Sequence, residues 1–142
     1  MYWQPGNSTL VIVKPGAVER RSIGHILGRF EDAGARIHQL RMLAWWSRST
    51  AENFYIEHQG KPFFAAHVDH MTKGAIVAAQ LVGNDALVHV REMIGATDPQ
   101  KAAPWTLRRL FGRELPDNAV HASDSPEAAE REIRFFFGPF EP

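Results

Sequence analysis

Along this chain, short unbroken runs of apolar residues alternate with stretches in which apolar residues recur every three or four positions. That alternation restricts the chain to a sheet with helices packed on it. Leu10, Val11, Ile12 and Val13 form one such run, closed by Pro15 and Gly16, and read as a buried strand. Ser22 reads as an N-cap, followed at helical spacing by Ile23, Ile26, Leu27 and Phe30, with Gly34 ending the element. Residues 37–45 read as a second strand with Leu40, Met42 and Ala44 on one face. Ser49 and Glu52 have capping-box spacing and open a helix carrying Phe54 and Tyr55, which Pro62 interrupts. Phe64, Val68 and Met71 mark a short helix stopped at Gly74. Residues 76–82 form a strongly apolar strand, and Leu87, Val90 and Ile94 mark a helix ending at Gly95.

Residues 96–117 break this regularity. They show little periodicity and contain Pro99, Pro104, Gly112 and Pro116. So long an irregular stretch inside a compact domain points to a functional loop. Residues 118–121 are too short to assign as a strand by pattern. Ser125 as N-cap and Pro126 at the first helical position then open a last helix, with Ala129, Ile133, Phe136 and Phe137 as its buried stripe. The order predicts a mixed α/β domain, and 142 residues without repeat or linker predict one domain.

Composition narrows the function. The chain has no cysteine, which excludes disulfides and thiolate zinc sites and fits a cytoplasmic protein. Sixteen Lys+Arg balance sixteen Asp+Glu, so nothing suggests a coat for nucleic acid or an anionic membrane. No apolar run approaches the ~20 residues that span a bilayer. Residues 1–7 lack the basic-then-apolar order of a signal peptide.

No G-x-x-x-x-G-K-[ST], G-x-G-x-x-G or H-E-x-x-H motif occurs. His67 and His70, three apart on a helix, read as solvated or half-buried side chains rather than a metal pair. His121 stands apart through its surroundings. Small and polar residues follow it, then a helix start, whose free N–H groups suit phosphate. Glu132 lies beside the apolar stripe of the last helix. If that helix packs back over the strand, its carboxylate faces the imidazole and fixes its tautomer.

At these residues the chain resembles a known family. Asn118 through Ser125 resemble the nucleoside diphosphate kinase signature N-x-x-H-G-S-D-S. Thr9 through Pro15 resemble the family's first strand and lysine. Phe54-Tyr55 and Lys61-Pro62-Phe63-Phe64 resemble [HF]-Y…R-P-F-F. Arg91 through Pro99 resemble R-x-x-[ML]-G-x-T-[DN]-P, and Pro104 through Arg108 resemble P-G-T-I-R. Five blocks in family order over about residues 8–138 form a specific signal.

The resemblance implies an α+β fold: one ferredoxin-like βαββαβ domain with a four-stranded antiparallel sheet. It would span residues 1–142, with 1–7 as an N-terminal extension and about 97–117 as a subunit-contacting loop. It implies a homo-oligomer, a hexamer or tetramer built from a common dimer. It implies Mg²⁺-dependent, ping-pong transfer of the γ-phosphoryl of a nucleoside triphosphate to a diphosphate. ATP, ADP, GDP and other nucleotides would be the partners, with no membrane and no specific nucleic acid. His121 would be the nucleophile, Glu132 would orient it, Ser123 would support both, and Tyr55 would lie beside the ring. Arg91, Thr97 and Arg108 would hold phosphates. Lys14 and Asn118 would contact the ribose hydroxyls and the transferring end. Phe63 would stack on the base, and Asp124 would reach the metal through water. The alternative is a nucleotide-binding regulatory relative with impaired transfer.

The chain departs from the family pattern at Gly16, Ala75, Trp105, Arg109-Leu110 and Ala122. None of these removes a catalytic side chain. They bear on the loop conformation and the oligomer. A left-handed backbone at Ala122 would cost about 1–2 kcal/mol. Trp105 adds bulk near Arg108, and Trp45, Trp46 and Trp105 are expected to pack in the core.

Overall fold

The computed structural model describes residues 4–139, so residues 1–3 of the expected N-terminal extension lie outside the described residues. Its strands are β1 (Ser8–Val13), β2 (Arg36–Leu43), β3 (Ile76–Val82) and β4 (Val120–Ala122). Its helices are α1 (Pro15–Glu19), α2 (Ile23–Asp32), α3 (Arg48–Phe54), α4 (Phe64–Met71), α5 (Ala86–Ile94), α6 (Leu107–Phe111) and α7 (Pro126–Phe137). The sheet order is β2-β3-β1-β4 and every neighbouring pair is antiparallel, the expected ferredoxin-like arrangement. Among the described residues no helix is long and apolar enough to cross a membrane.

β1 lies between β3 and β4, and all six of its residues are buried. Side chains alternate across a strand, so an unbroken apolar run supplies both faces at once. Val11 and Val13 pack with Ile26, Phe30, Val90 and Ile94 under α2 and α5. Leu10 and Ile12 pack with Phe54, Val68, Met71, Ile133 and Phe136 under α3, α4 and α7. Because α7 covers that second face, Glu132 is carried back over the sheet.

Four elements differ from expectation. The Pro15-Gly16 stop is itself a short helix, α1, with proline in its first turn. Residues 96–117 contain α6, too short at five residues to show periodicity. The cap of α3 is Ser47, whose Oγ accepts the Thr50 N–H at 3.1 Å, whereas Ser49 lies inside the helix. Glu52 pairs with Arg48 one turn away instead of closing a capping box. In β2, Leu40, Met42 and Ala44 face solvent. A bulge between Ile37 and Gln39 reverses the side-chain phase. Ile37 therefore joins the α2–α5 core and Leu43 the opposite one. The strand ends two residues early because Trp46 turns inward and donates from Nε1 to the Met71 carbonyl at 2.6 Å. Trp46 is core as expected, whereas Trp45 (69%) and Trp105 (71%) are exposed.

Ile133 is 1% exposed on α7 and clamps that helix to β1. Ile133→Ala should lower unfolding free energy by about 2–5 kcal/mol. The check is the urea midpoint at unchanged denaturant slope.

Candidate active site

His121 sits in the middle of β4, opposite Ile12 of β1. Its Nε2 is 2.6 Å from Glu132 Oε1 on α7. The same oxygen accepts from Ser123 Oγ at 3.0 Å, while Ser123 Oγ accepts the Leu10 N–H at 3.1 Å. One serine thus ties the carboxylate to the central strand. Arg131 flanks the other carboxylate oxygen at 3.7 Å and is itself held by Glu57 at 3.2 Å and the Phe54 carbonyl at 3.2 Å. Phe54 and Tyr55 stand edge-on to the imidazole at 5.5 and 5.9 Å. Among the described residues no hydrogen bond holds Nδ1. A proton on Nε2, donated to Glu132, leaves the Nδ1 lone pair free.

The imidazole lines a cavity of about 560 Å³ together with four cationic side chains, of which Arg131 is already paired with Glu57 and the other three are Lys14, Arg91 and Arg108. Lys14 follows β1 directly, is 2% exposed, and donates to the Pro116 carbonyl at 3.3 Å. Burial, reinforced by Arg108 and partly offset by Asp117, brings its amine down from the usual 10.5 to about 7. Arg108, on α6, donates to the Val120 carbonyl at 3.0 Å and the Gly95 carbonyl at 3.1 Å. Burial, with Arg91 nearby, brings it to about 10. Arg91 donates to the Ala122 carbonyl at 3.3 Å. These guanidinium groups are held by neutral carbonyls, which leaves their charge for a ligand. Gly95 makes this possible. It has φ +83°, and a Cβ there would meet Thr106 at 2.6 Å, so only glycine lets the end of α5 close against the start of α6.

Three buried polar atoms on residues lining the cavity lack partners: Tyr55 OH, Asn118 Oδ1 and His58 Nδ1. Each such atom costs about 1–3 kcal/mol until a ligand or water satisfies it. Asn118 is oriented by its Nδ2, which donates to the Thr97 carbonyl at 2.9 Å. Next to it Ala119 is held at φ +74°, the kind of backbone strain that collects at binding sites.

A family model described as nucleoside diphosphate kinase matches residues 7–142. The chain belongs to the nucleoside diphosphate kinase family, whose members are phosphotransferases. The enzyme of that name from Archaeoglobus fulgidus is 50% identical over 129 residues, covering 91% of this chain and 85% of its own. That from Pyrococcus horikoshii is 52% identical over 136 residues, covering 94% and 86%. The crystal structure of the Aquifex aeolicus nucleoside diphosphate kinase superimposes with a TM-score of 0.89 at 46% identity over 92% of this chain and 94% of that one. The Halobacterium salinarum enzyme, solved in complex with CDP, superimposes with a TM-score of 0.88 at 40% identity, covering 93% and 88%.

Of the residues that the family pattern singles out, His121, Glu132, Tyr55, Lys14, Phe63, Arg91, Thr97, Arg108, Asn118 and Asp124 all line the one cavity. Ser123 lies fully buried behind it, against Glu132. Sequence reasoning missed Glu57, His58, His67, Leu115 and Arg131, which also line it, together with Phe54, Ala66, Pro116 and Ala122. Only Leu115 carried a signal, an apolar residue alone in a polar, proline-containing stretch. His67 and His70 do not share a site. His67 lines the cavity, edge-on to Tyr55 at 4.4 Å, and burial with the nearby cations holds it down at about 2, neutral. His70 lies outside it, 3.7 Å from Asp117. Asp124, just before α7, lines the cavity, whereas residues 125–130 do not, and Ser125 Oγ accepts the Ala128 N–H. Ala122 is not among the residues of positive φ, so alanine replaces the family's glycine there without strain. Trp105, largely exposed, lines a separate recess with Gly34, His89 and Met93, away from the cavity that Arg108 lines.

The buried amine of Lys14 makes stability pH-dependent. The unfolded chain keeps the proton up to 10.5 and the folded one releases it near 7. The unfolded state therefore binds more protons in that window, and stability of the ligand-free protein rises with pH across it. Below the window both states hold the proton. Above 10 Tyr55 acts oppositely, because its raised folded value lets the unfolded phenol ionise first. Urea midpoints between about pH 7 and 10 should climb in the wild type and flatten in Lys14→Met.

Proposed function

We propose that this chain is an active nucleoside diphosphate kinase working through a phosphohistidine on His121. The observation that carries the reading is the Nε2–Glu132 hydrogen bond at 2.6 Å, which leaves Nδ1 as the free nucleophile in a cavity lined by Lys14, Arg91 and Arg108. Nδ1 attacks the γ-phosphorus of a nucleoside triphosphate in line, the P–O bond to the β-phosphate breaks, and the diphosphate leaves. A second diphosphate then attacks the same phosphorus, the P–N bond breaks, and a new triphosphate departs. The kinetics are ping-pong, since one cavity serves both nucleotides in turn. The phosphorylated imidazole is cationic, and Glu132, steadied by Ser123 and Arg131, offsets that charge.

Phosphoryl transfer rests on positioning and on neutralising oxygens. Arg91 and Arg108 suit phosphate oxygens through their fixed charge and planar donors, and Thr97 offers a hydroxyl beside them. Lys14 and the unpartnered Asn118 Oδ1 would take ribose hydroxyls and the transferring end, a reading that the missing partner of Oδ1 supports. Tyr55 OH, also unpartnered, lies beside the histidine. Phe63 and Leu115, about half exposed at 53% and 54%, offer apolar faces to a base, which any base can use. The CDP bound by the Halobacterium salinarum relative supports this choice of ligand.

Mg²⁺ would be held mainly by the nucleotide phosphates. The donor set fits that arrangement: Glu132 is engaged by His121 and Ser123, Glu57 is paired with Arg131, and Asp124 is an exposed carboxylate on the lining that would take a water of the metal. The metal supplies charge neutralisation on the phosphates. We also read the protein as a cytoplasmic homo-oligomer, a tetramer or hexamer. The position of β2 at the end of the sheet, with exposed Leu40, Met42 and neighbouring Trp45, supports it, as do exposed Trp105 and Leu110 in and beside α6.

Incubation with Mg²⁺ and γ-labelled ATP should give acid-labile label on the wild type and none on His121→Ala, and added GDP should collect it as GTP. Bound ATP without label would instead favour the non-transferring relative. Glu132→Gln should still bind nucleotide while turnover falls roughly 10²–10⁴-fold, read from steady-state rates with ADP affinity measured in parallel.

A further inference from the structure

Outside the cavity, the strongest unassigned contact joins α1 to the loop that walls the nucleotide cavity. Arg20 Nη1 donates to Asp117 Oδ2 at 2.8 Å and Nη2 to Oδ1 at 3.1 Å, and Nη2 also donates to the Phe111 carbonyl at 2.7 Å. Burial pushes the Asp117 carboxyl up, but the Arg20 hydrogen bonds outweigh it and the group sits below its usual value, ionised at neutral pH. The Asp117 carbonyl accepts the Arg113 N–H at 2.8 Å, closing the loop on itself. Residues on either side of Asp117 face the cavity: Leu115 and Pro116 before it, Asn118 after it. The Pro116 carbonyl is also the acceptor for Lys14 Nζ.

Gly16 is the counterpart of this pair. A Cβ at position 16 would lie 2.8 Å from Asp117 Cγ and 2.9 Å from Arg20 Nη1. Position 16 is where the chain departs from the acidic or amide residue of the family pattern. Here the missing side chain leaves the space that the loop's own carboxylate fills. The consequence differs from that of an acid on α1. A carboxylate on position 16 would neutralise Arg20 within one helix, whereas one on position 117 fastens a different segment to it.

We propose that Arg20 and Asp117, admitted by Gly16, are positioning residues for nucleotide capture: together they latch the 115–118 wall against α1 so that Leu115 and Asn118 meet the nucleoside and Lys14 is held by Pro116. This rests on the reading that the cavity takes nucleotides. The latch touches neither His121 nor Glu132, so it acts on nucleotide binding, through Leu115, Asn118 and Lys14, and not on the nucleophile. It predicts a split that a merely structural ion pair does not give.

The test uses Asp117→Asn, which is nearly isosteric, and Gly16→Ala, which leaves the carboxylate intact and pushes it aside. For both, KM for ADP and GDP, and the ADP Kd by calorimetry, should rise about 5- to 20-fold, the size of one charge-assisted contact. kcat should stay within about threefold. Phosphorylation of His121 by phosphoramidate, a phosphoryl donor without a nucleoside, should lose much less than nucleotide binding does, staying within about threefold of the wild-type rate. The double variant should be no worse than the more impaired single, because both break one interaction. Unchanged Kd and KM with only a lower melting temperature would overturn the proposal, as would an equal loss of phosphoramidate labelling. If Gly16→Ala does not fold, Asp117→Asn and Arg20→Lys decide alone. A wild type that binds ADP but never takes label from ATP would sink the kinase reading, and the ADP Kd of the variants would still judge the latch.

Discussion

Every residue of β1 is buried, both its edges are hydrogen-bonded to neighbours, and both its faces carry helices. The site inherits its rigidity from that strand. β4 is only three residues long and holds His121 in place through its register with β1. The Leu10 amide fixes Ser123, Ser123 fixes Glu132, and Glu132 fixes the imidazole. Lys14 is simply the next residue after β1. A short strand would be a poor platform alone; paired to the most constrained backbone in the molecule, it becomes a precise one.

The electrostatics follow from where that strand ends. Lys14 and Arg108 are buried and Arg91 is half-buried in a cavity whose best-placed acid, Glu132, is already engaged. Burying cations without counter-ions is costly, and the lowered values of Lys14 and Arg108 record that cost. Unpartnered Tyr55 OH and Asn118 Oδ1 add to it. Such an arrangement is unfavourable in the empty protein and favourable around a polyphosphate. Stability has been given up locally in exchange for a preformed anion site.

Most of this was legible in the sequence where the physics is local. The runs at 10–13 and 76–82 can only be strands buried on both faces, and the stripe Ala129, Ile133, Phe136 sets the face of α7 and hence the direction of Glu132. What stayed hidden depends on tertiary contacts. β4 and α6 are too short to show a period. The β2 bulge reverses which residues face solvent, and no spacing announces a bulge. That Ser47 and not Ser49 caps α3 depends on how the chain enters that helix. The cavity residues were legible as a set only through the collinear family blocks; Leu115, Arg131 and His67 reach the cavity from segments with no distinctive pattern.

Trp46 lies fully inside the aromatic group that surrounds the imidazole, 5.9 Å from Phe54 and 6.5 Å from Tyr55, ring centre to ring centre, and both of those rings stand edge-on to His121. Trp45 and Trp105 are exposed to water, whereas Trp46 sits in an apolar surround. Among the described tryptophans, the fold thus sets one indole in an apolar surround, a single aromatic contact removed from the histidine, so that a change at the imidazole is relayed to Trp46 through Phe54 or Tyr55 and not to Trp45 or Trp105.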